Sequence, residues 1–309
     1  MVNREDIEAA YARIRPNIRK TPVIDLEAGA FGSVGQLTLK LESLQHAGSF
    51  KPRGAFNRVL NGTAPSVGVV AASGGNHGIA TAHVANQLGI PANIFVPSIS
   101  SLVKQERIAA LGATVHVGGD VYADALAASE RFLETHDALS VHAYNHPDII
   151  AGQGTVGLEW EAQSPDLDTV LVAVGGGGLI AGICAWYAGR VKVIAVEPET
   201  STALRSARAA GEITKVSVSG VAADSLGAST LGEMAFEITQ AHLHDSVLVP
   251  NTAIREAQKR LWGSLQISAE PGGATALAAI LSGAYQPKTG ERVGILVCGG
   301  NVDLTTLIV

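Results

Sequence analysis

The sequence predicts an α/β protein built on mostly parallel sheets. Short β-branched runs alternate with helical patterns along most of the 309 residues, and Gly-rich turns follow directly on three of the predicted strands. With 47% hydrophobic and 16% charged residues, the chain can bury a sizeable core and is not expected to be disordered.

The elements follow in order. VGVVAA (67–72) has the density of apolar residues expected of a buried strand, and IATAHVANQLG (79–89) has helical spacing. ANIFVP (92–97) is the next strand, and SLVKQERIAALG (101–112) a helix that Ser101 could cap. TVHVG (114–118) and DVYADALAASERFLETH (120–136) repeat the pair. Further strands are expected at 169–174, 191–197, 246–250 and 292–297, with helices between them. No low-complexity tract or fixed-period repeat interrupts this order.

Charge and composition exclude several functions. The net charge is −6 with no basic stripe, so nucleic acid is not expected as a partner. No apolar run is long enough to cross a bilayer, and the charged, amphipathic N-terminus has no signal core, which points to a cytoplasmic protein. The two cysteines, Cys184 and Cys298, form no disulfide framework and suit a reducing compartment. Cys and His at zinc spacing are absent from the sequence.

The glycine turns carry the functional signal. SGGNHG (73–78), GGGG (175–178) and CGGN (298–301) each follow a predicted strand, and ligands of open α/β sheets bind beyond the carboxyl ends of strands. Gly175, Gly176, Gly177 and Gly178 lie between a strand and a helix starting near Leu179. Backbone N–H groups there could hold a phosphate without any arginine. Glu197, 22 residues after Gly175, resembles the acid of a dinucleotide fingerprint. The third glycine of that pattern falls on Ile180, however, so the nicotinamide reading is weak. SGGNHG could cradle a carboxylate or could simply be a capped turn. Lys51 sits between Phe50 and Pro52, in unusually apolar company for a lysine. If buried it would have a lowered pKa and a nucleophilic amine; taken by itself, a lysine more often snorkels from an exposed strand edge.

GSFKPRGA, SGGNHG, AVGGGGLIAG, EPGGATAL and CGGN, in this order and spacing, resemble the fold type II pyridoxal-phosphate enzymes, tryptophan synthase beta-like in fold. Within them the chain resembles the serine/threonine dehydratase and serine racemase group, from about residue 15 onward. The resemblance implies two three-layer α/β domains with the cofactor between them. A large domain would combine 1–64 with 146–309, and a small mobile domain would span 65–145. It makes Lys51 the lysine bound to the pyridoxal 5'-phosphate aldehyde. Phe50, Asn76 and Cys298 would lie against the ring, and Gly175–Gly178 would hold the phosphate. Ser73, Gly74, Asn76 and His77 would receive the substrate carboxylate. Tyr144, before AGQGT, is a candidate to face the β-substituent or equally a core tyrosine, and Ser225, in ADSLGAS where the group commonly reads Ala-Asp-Gly, is a candidate to alter substrate contacts.

The implied activity is α,β-elimination from L-threonine or L-serine, giving a 2-oxo acid and ammonia. A related substrate such as 3-hydroxyaspartate, serine racemization, β-replacement and a cofactor-holding regulatory module are the alternatives. Asn76-His77, where sulfur-adding synthases carry Asn-Thr, favours the dehydratases. A neutral Cys298 beside the ring nitrogen makes a weak electron sink, which suits rapid loss of a β-hydroxyl.

Two positions depart from the racemases. Gly74 stands where they carry a proton-donating serine, so elimination without efficient racemization is expected. Ala203 replaces a carboxylate of their divalent-cation site; Glu197 and the Ser201 carbonyl remain, with Glu199 as a candidate substitute, fewer oxygen ligands than a hard cation takes. The resemblance also implies a homodimer, with Tyr11 and Arg15 as candidate interface residues. Feedback control by a C-terminal regulatory domain is not expected.

Overall fold

The computed structural model describes residues 1–62, 66–100 and 102–307. The expected cap at Ser101 and the expected domain boundary at 64/65 lie outside the described residues. Helix α1 (Arg4–Ile14) leads to strands β1 (Val23–Asp25) and β2 (Gln36–Leu41), and α2 (Lys51–Asn61) follows. Strands β3 (Val69–Ala72), β4 (Ala92–Val96), β5 (Thr114–Val117) and β6 (Leu139–Ser140) alternate with α3 (Asn76–Leu88), α4 (Leu102–Ala110) and α5 (Tyr122–Thr135). The rest of the chain runs α6 (Pro147–Gln163), β7 (Thr169–Ala173), α7 (Gly178–Tyr187), β8 (Lys192–Pro198), α8 (Ala203–Ala210), α9 (Ala223–Leu226), α10 (Glu233–His242), β9 (Asp245–Val249), α11 (Asn251–Leu265), α12 (Pro271–Leu281) and β10 (Arg292–Val297).

Two sheets result. One has the order β1-β2-β10-β7-β8-β9, parallel except for the edge strand β1; the other, β5-β4-β3-β6, is wholly parallel. β7 and β10 are apolar along nearly their whole length because helices cover both faces. The seven strands read from the sequence are present. Three more, β1, β2 and β6, were not expected. β1 and β6 are too short to show a period; β2, QLTLKL, does carry the apolar/polar alternation of a strand and was overlooked.

Helix termini follow local chemistry. Asn3 and Asp6 form a reciprocal capping box on α1, and His146 Nδ1 accepts the Asp148 N–H (3.1 Å) where Pro147 opens α6. α3 starts at Asn76, three residues before the expected start, so the SGG turn runs straight into a helix N-terminus.

The larger core surrounds β7, β8 and β10. The second core, around β3 and β4, also takes in Ile14, Ala55, Phe56, Val59 and Ile149. It therefore draws on α1, α2 and α6 as well as on residues between 65 and 145. Helix α2 packs against both α3 and α6, and this places its first residue, Lys51, where the two sheets meet.

Candidate active site

Lys51 is held from both sides. The Phe50 N–H donates to the Cys298 carbonyl (3.1 Å), and Ser49 pairs with Gly299, so the end of β10 fixes the segment that enters α2. Pro52, in the first turn, needs no N–H partner there. The Lys51 ammonium donates to the Ala143 carbonyl (2.9 Å) and lies 5.2 Å from the Phe50 ring centre. Burial pulls its pKa down to about 8, against the opposing pull of Cys298 and Glu270. The residue after Ala143 is Tyr144, whose ring covers Gly176 and whose backbone abuts Gly178. The amine and the glycine turn are thus joined through two consecutive residues.

The turn is shaped for close backbone approach. Gly177 has φ +94°, a conformation that L side chains rarely adopt, and a methyl group on Gly178 would lie 2.9 Å from the Tyr144 carbonyl. Val174 N–H continues the ladder to Val196. Among the described residues, the N–H groups of Gly175–Gly178 then enter no turn or ladder bond before α7 begins. They form an open set of donors at a helix N-terminus, which suits a phosphate.

Asn76 opens α3. Its amide donates to Glu270, and its oxygen accepts from Asn301 Nδ2 (2.7 Å). Asn301 also donates to Ala47 and accepts from Arg107 on α4 (2.6 Å). Burial raises the Glu270 pKa to about 7, with the Asn76 bond opposing. The roles of Glu270 and Asn301 were missed from the sequence, although EPGGATAL and CGGN contain them. An acid directly before a Pro-Gly-Gly helix start was the available signal.

The Cys298 thiol donates to the Gly272 carbonyl (3.5 Å), and burial pushes its pKa up, so it is neutral. Ser73 Oγ accepts the Gly75 N–H (3.1 Å). The His77 ring turns away to the Val141 carbonyl (2.8 Å). Burial, with Lys51 nearby, lowers its pKa to about 3, so the ring is neutral. A side chain on Gly74 would run into Ser100, so that space already contains a hydroxyl.

Two expectations need correction. Ser225 Oγ accepts the Gly272 N–H (3.1 Å) and lies against α12, so its hydroxyl is committed to backbone rather than free for a β-substituent. Glu197 does not face a cation position. Its two oxygens accept the N–H groups of Leu204 and Arg205 (2.8 Å each) at the start of α8. Glu199, the other carboxylate considered, is exposed. Among the described residues no group of three or more His, Cys, Asp or Glu could hold a metal. These residues do not fit a hard cation, which needs more oxygen ligands.

Beneath the site lies a buried charge cluster that the sequence did not disclose. Arg53 donates to both Glu42 oxygens (2.7 and 2.8 Å) and to Glu159, and Lys40 donates to Glu159 (2.6 Å). The two cations and two carboxylates are almost fully buried and balance in charge.

The donor set fits pyridoxal phosphate: an accessible amine of lowered pKa, unpaired N–H groups on a glycine turn, and a neutral thiol and an amide nearby. A family model described as pyridoxal-phosphate dependent enzyme matches residues 14–299. The chain is 34% identical to the L-threonine ammonia-lyase of Thermotoga maritima, over 99% of this chain and 77% of that protein. It is 36% identical to a catabolic L-threonine dehydratase of Staphylococcus aureus, over 99% and 90%. The solved structure of maize serine racemase superposes with a TM-score of 0.93 at 34% identity, covering 99% of this chain and 95% of that one.

Proposed function

The chain belongs to the family of pyridoxal-phosphate dependent enzymes, and from that premise we propose a lyase acting on a β-hydroxy amino acid, L-threonine or L-serine. The products are the 2-oxo acid and ammonia: the β-hydroxyl and α-hydrogen leave as water, and hydrolysis then releases the nitrogen. The observation that carries this reading is the Lys51 amine, brought to a pKa of about 8 between Cys298, Glu270 and Ala143.

Bound pyridoxal phosphate supplies the electron sink for the substrate's α-carbon. Lys51 is the residue that would carry its aldehyde, and as a neutral amine it takes the α-proton. Gly175–Gly178 would hold the phosphate. Asn76, fixed by Glu270 and Asn301, and Phe50 would flank the ring. Cys298, a neutral thiol, would stand by the ring nitrogen and make a weak electron sink, which suits fast loss of the hydroxyl. Ser73 and the N–H groups beyond Gly74, at Asn76 and His77, receive the carboxylate. Tyr144 packs over the glycine turn and closes the phosphate end.

The unit at 65–145 closes over the substrate and excludes water. Support comes from two pairs that run from α4 to the other unit, Lys104 with Asp224 and Arg107 with Asn301. Both cysteines are free, which suits the reducing cytoplasm, and no described helix is long and apolar enough to cross a membrane. The reading extends to a homodimer through α1, where Tyr11 is half-buried and Arg15 exposed.

The test is a near-visible spectrum of the purified protein, followed by ammonia release from L-serine, L-threonine and 3-hydroxyaspartate. A cofactor band with ammonia and 2-oxo acid supports the reading. A band without ammonia leaves a cofactor-holding module, and steady conversion of L-serine to D-serine makes it a racemase.

A further inference from the structure

β3 and β4 lie side by side in parallel register, Ala72 beside Phe95, so the loops leaving their C-terminal ends meet above the same edge. The first loop is the turn at 73–75 that opens α3; the second carries Ser100. A methyl group built on Gly74 would collide with Ser100 Oγ and lie 2.7 Å from Ser100 Cβ. Ser100 thus fills the volume that a side chain at 74 would take.

Ser100 is fixed in place. Its N–H donates to the Pro97 carbonyl (3.0 Å), and its own carbonyl accepts from Gln105 Nε2 (2.8 Å). Among the described residues its hydroxyl bonds to nothing, and the residue is half-buried. Gly74, which it abuts, lies in the turn where Ser73 Oγ accepts the Gly75 N–H and which runs into the N-terminus of the thirteen-residue helix α3. Gly75 leaves the approach open: a methyl there would meet nothing closer than the Asp224 carbonyl at 3.8 Å.

We propose that Ser100, on the loop that follows β4, is a substrate-binding residue whose hydroxyl donates to the carboxylate of the bound amino acid. This rests on the reading that the carboxylate sits on the 73–77 turn. A hydroxyl beside a helix N-terminus adds a charge-assisted bond to an anion already favoured there. The glycine at 74 is then required by space: Ser100 occupies its side-chain volume.

The test compares the wild-type holoenzyme with Ser100→Ala and Ser100→Thr. Binding of L-alanine, which has no β-leaving group, is measured by calorimetry, and KM and kcat are measured with the best hydroxy amino acid. Ser100→Ala should weaken L-alanine binding and raise KM by about tenfold or more, the usual scale for a hydrogen bond to a charged group, with a smaller change in kcat. Ser100→Thr keeps the hydroxyl and should recover most of the affinity. Ethylamine, which lacks the carboxylate, should bind both variants as it binds the wild type. Unchanged L-alanine affinity in an active Ser100→Ala enzyme overturns the proposal, as does an equal loss for ethylamine. A wild type that carries the cofactor yet neither binds L-alanine nor releases ammonia overturns the parent reading and this one with it.

Discussion

Lys51 Nζ lies 2.9 Å from the carbonyl oxygen of Ala143, and the next residue, Tyr144, covers Gly176. The amine is therefore held by the same short segment that seals the glycine turn. Burial keeps its pKa near 8, below the usual lysine value of 10.5, so the uncharged form is already abundant in mildly alkaline solution. Only the uncharged amine condenses with an aldehyde. Uptake of pyridoxal phosphate by the apo-protein should speed up about tenfold per pH unit below the pKa and level off above about 8, as for a single titrating base. Stopped-flow absorbance gives the profile; a rate still climbing at pH 10 would mean that the amine is solvated. Lys51→Ala should lose both the cofactor band and turnover.

Gly176 has no room for a side chain. A methyl there would run into the Tyr144 ring, and one on Gly178 would lie 2.9 Å from the Tyr144 carbonyl. Gly176→Ala should push the tyrosine off the turn and weaken retention of the cofactor by tenfold or more, on the rough scale of one lost charge-assisted hydrogen bond. Dialysis followed by fluorescence titration measures this. Pairing it with Tyr144→Ala should restore part of the affinity; a double variant no better than the single one would assign the loss to the backbone alone.

These two residues also show what a sequence can disclose. The glycine turn was legible because four glycines after a strand have few other uses, and Lys51 stood out through its apolar neighbours. Tyr144 was read only as a candidate near the β-substituent or in the core; its contact with Gly176 was hidden because it depends on how α6 and α7 pack. Lys40 and Glu159 were illegible for a deeper reason. They are 119 residues apart, and each alone has the composition of a surface site. Ser100 was invisible for the same reason: only the parallel register of β3 and β4 brings it to Gly74.

Arg53 and Lys40 together neutralise two carboxylates beneath the site. Arg53 is the hub. It bonds Glu42 through two nitrogens and reaches Glu159 as well, all nearly without solvent contact. Truncating it leaves Glu42 buried without its main partner. Arg53→Ala should cost about 3–5 kcal/mol of stability, the range for breaking a buried pair from one side. Urea unfolding measures this. Replacing all four charges with apolar residues of similar volume should cost far less, because no charge is then stranded. If Arg53→Ala melts like the wild type, water or a rearranged lysine must be compensating, and the cluster does not hold α2 in place.

Glu197 provides the last test. In the racemase-like arrangement a carboxylate at this position would bind a divalent cation. Here both oxygens accept N–H groups from the first turn of α8, and the Arg205 guanidinium, anchored on Ser246, adds favourable charge nearby. Burial nevertheless raises the Glu197 pKa to about 7, against the pull of the helix N–H groups and Arg205, so the helix N-terminus offsets only part of the cost of burying this carboxylate. Chelation with EDTA should leave the melting temperature and ammonia release unchanged, and added magnesium, calcium or manganese should raise neither. Glu197→Ala should destabilise the protein by about 1–2 kcal/mol, the upper range for losing a helix cap, whether or not a cation is present. A cation-dependent rise in melting temperature that disappears in Glu197→Ala would return the carboxylate to a metal site and displace the helix from that role.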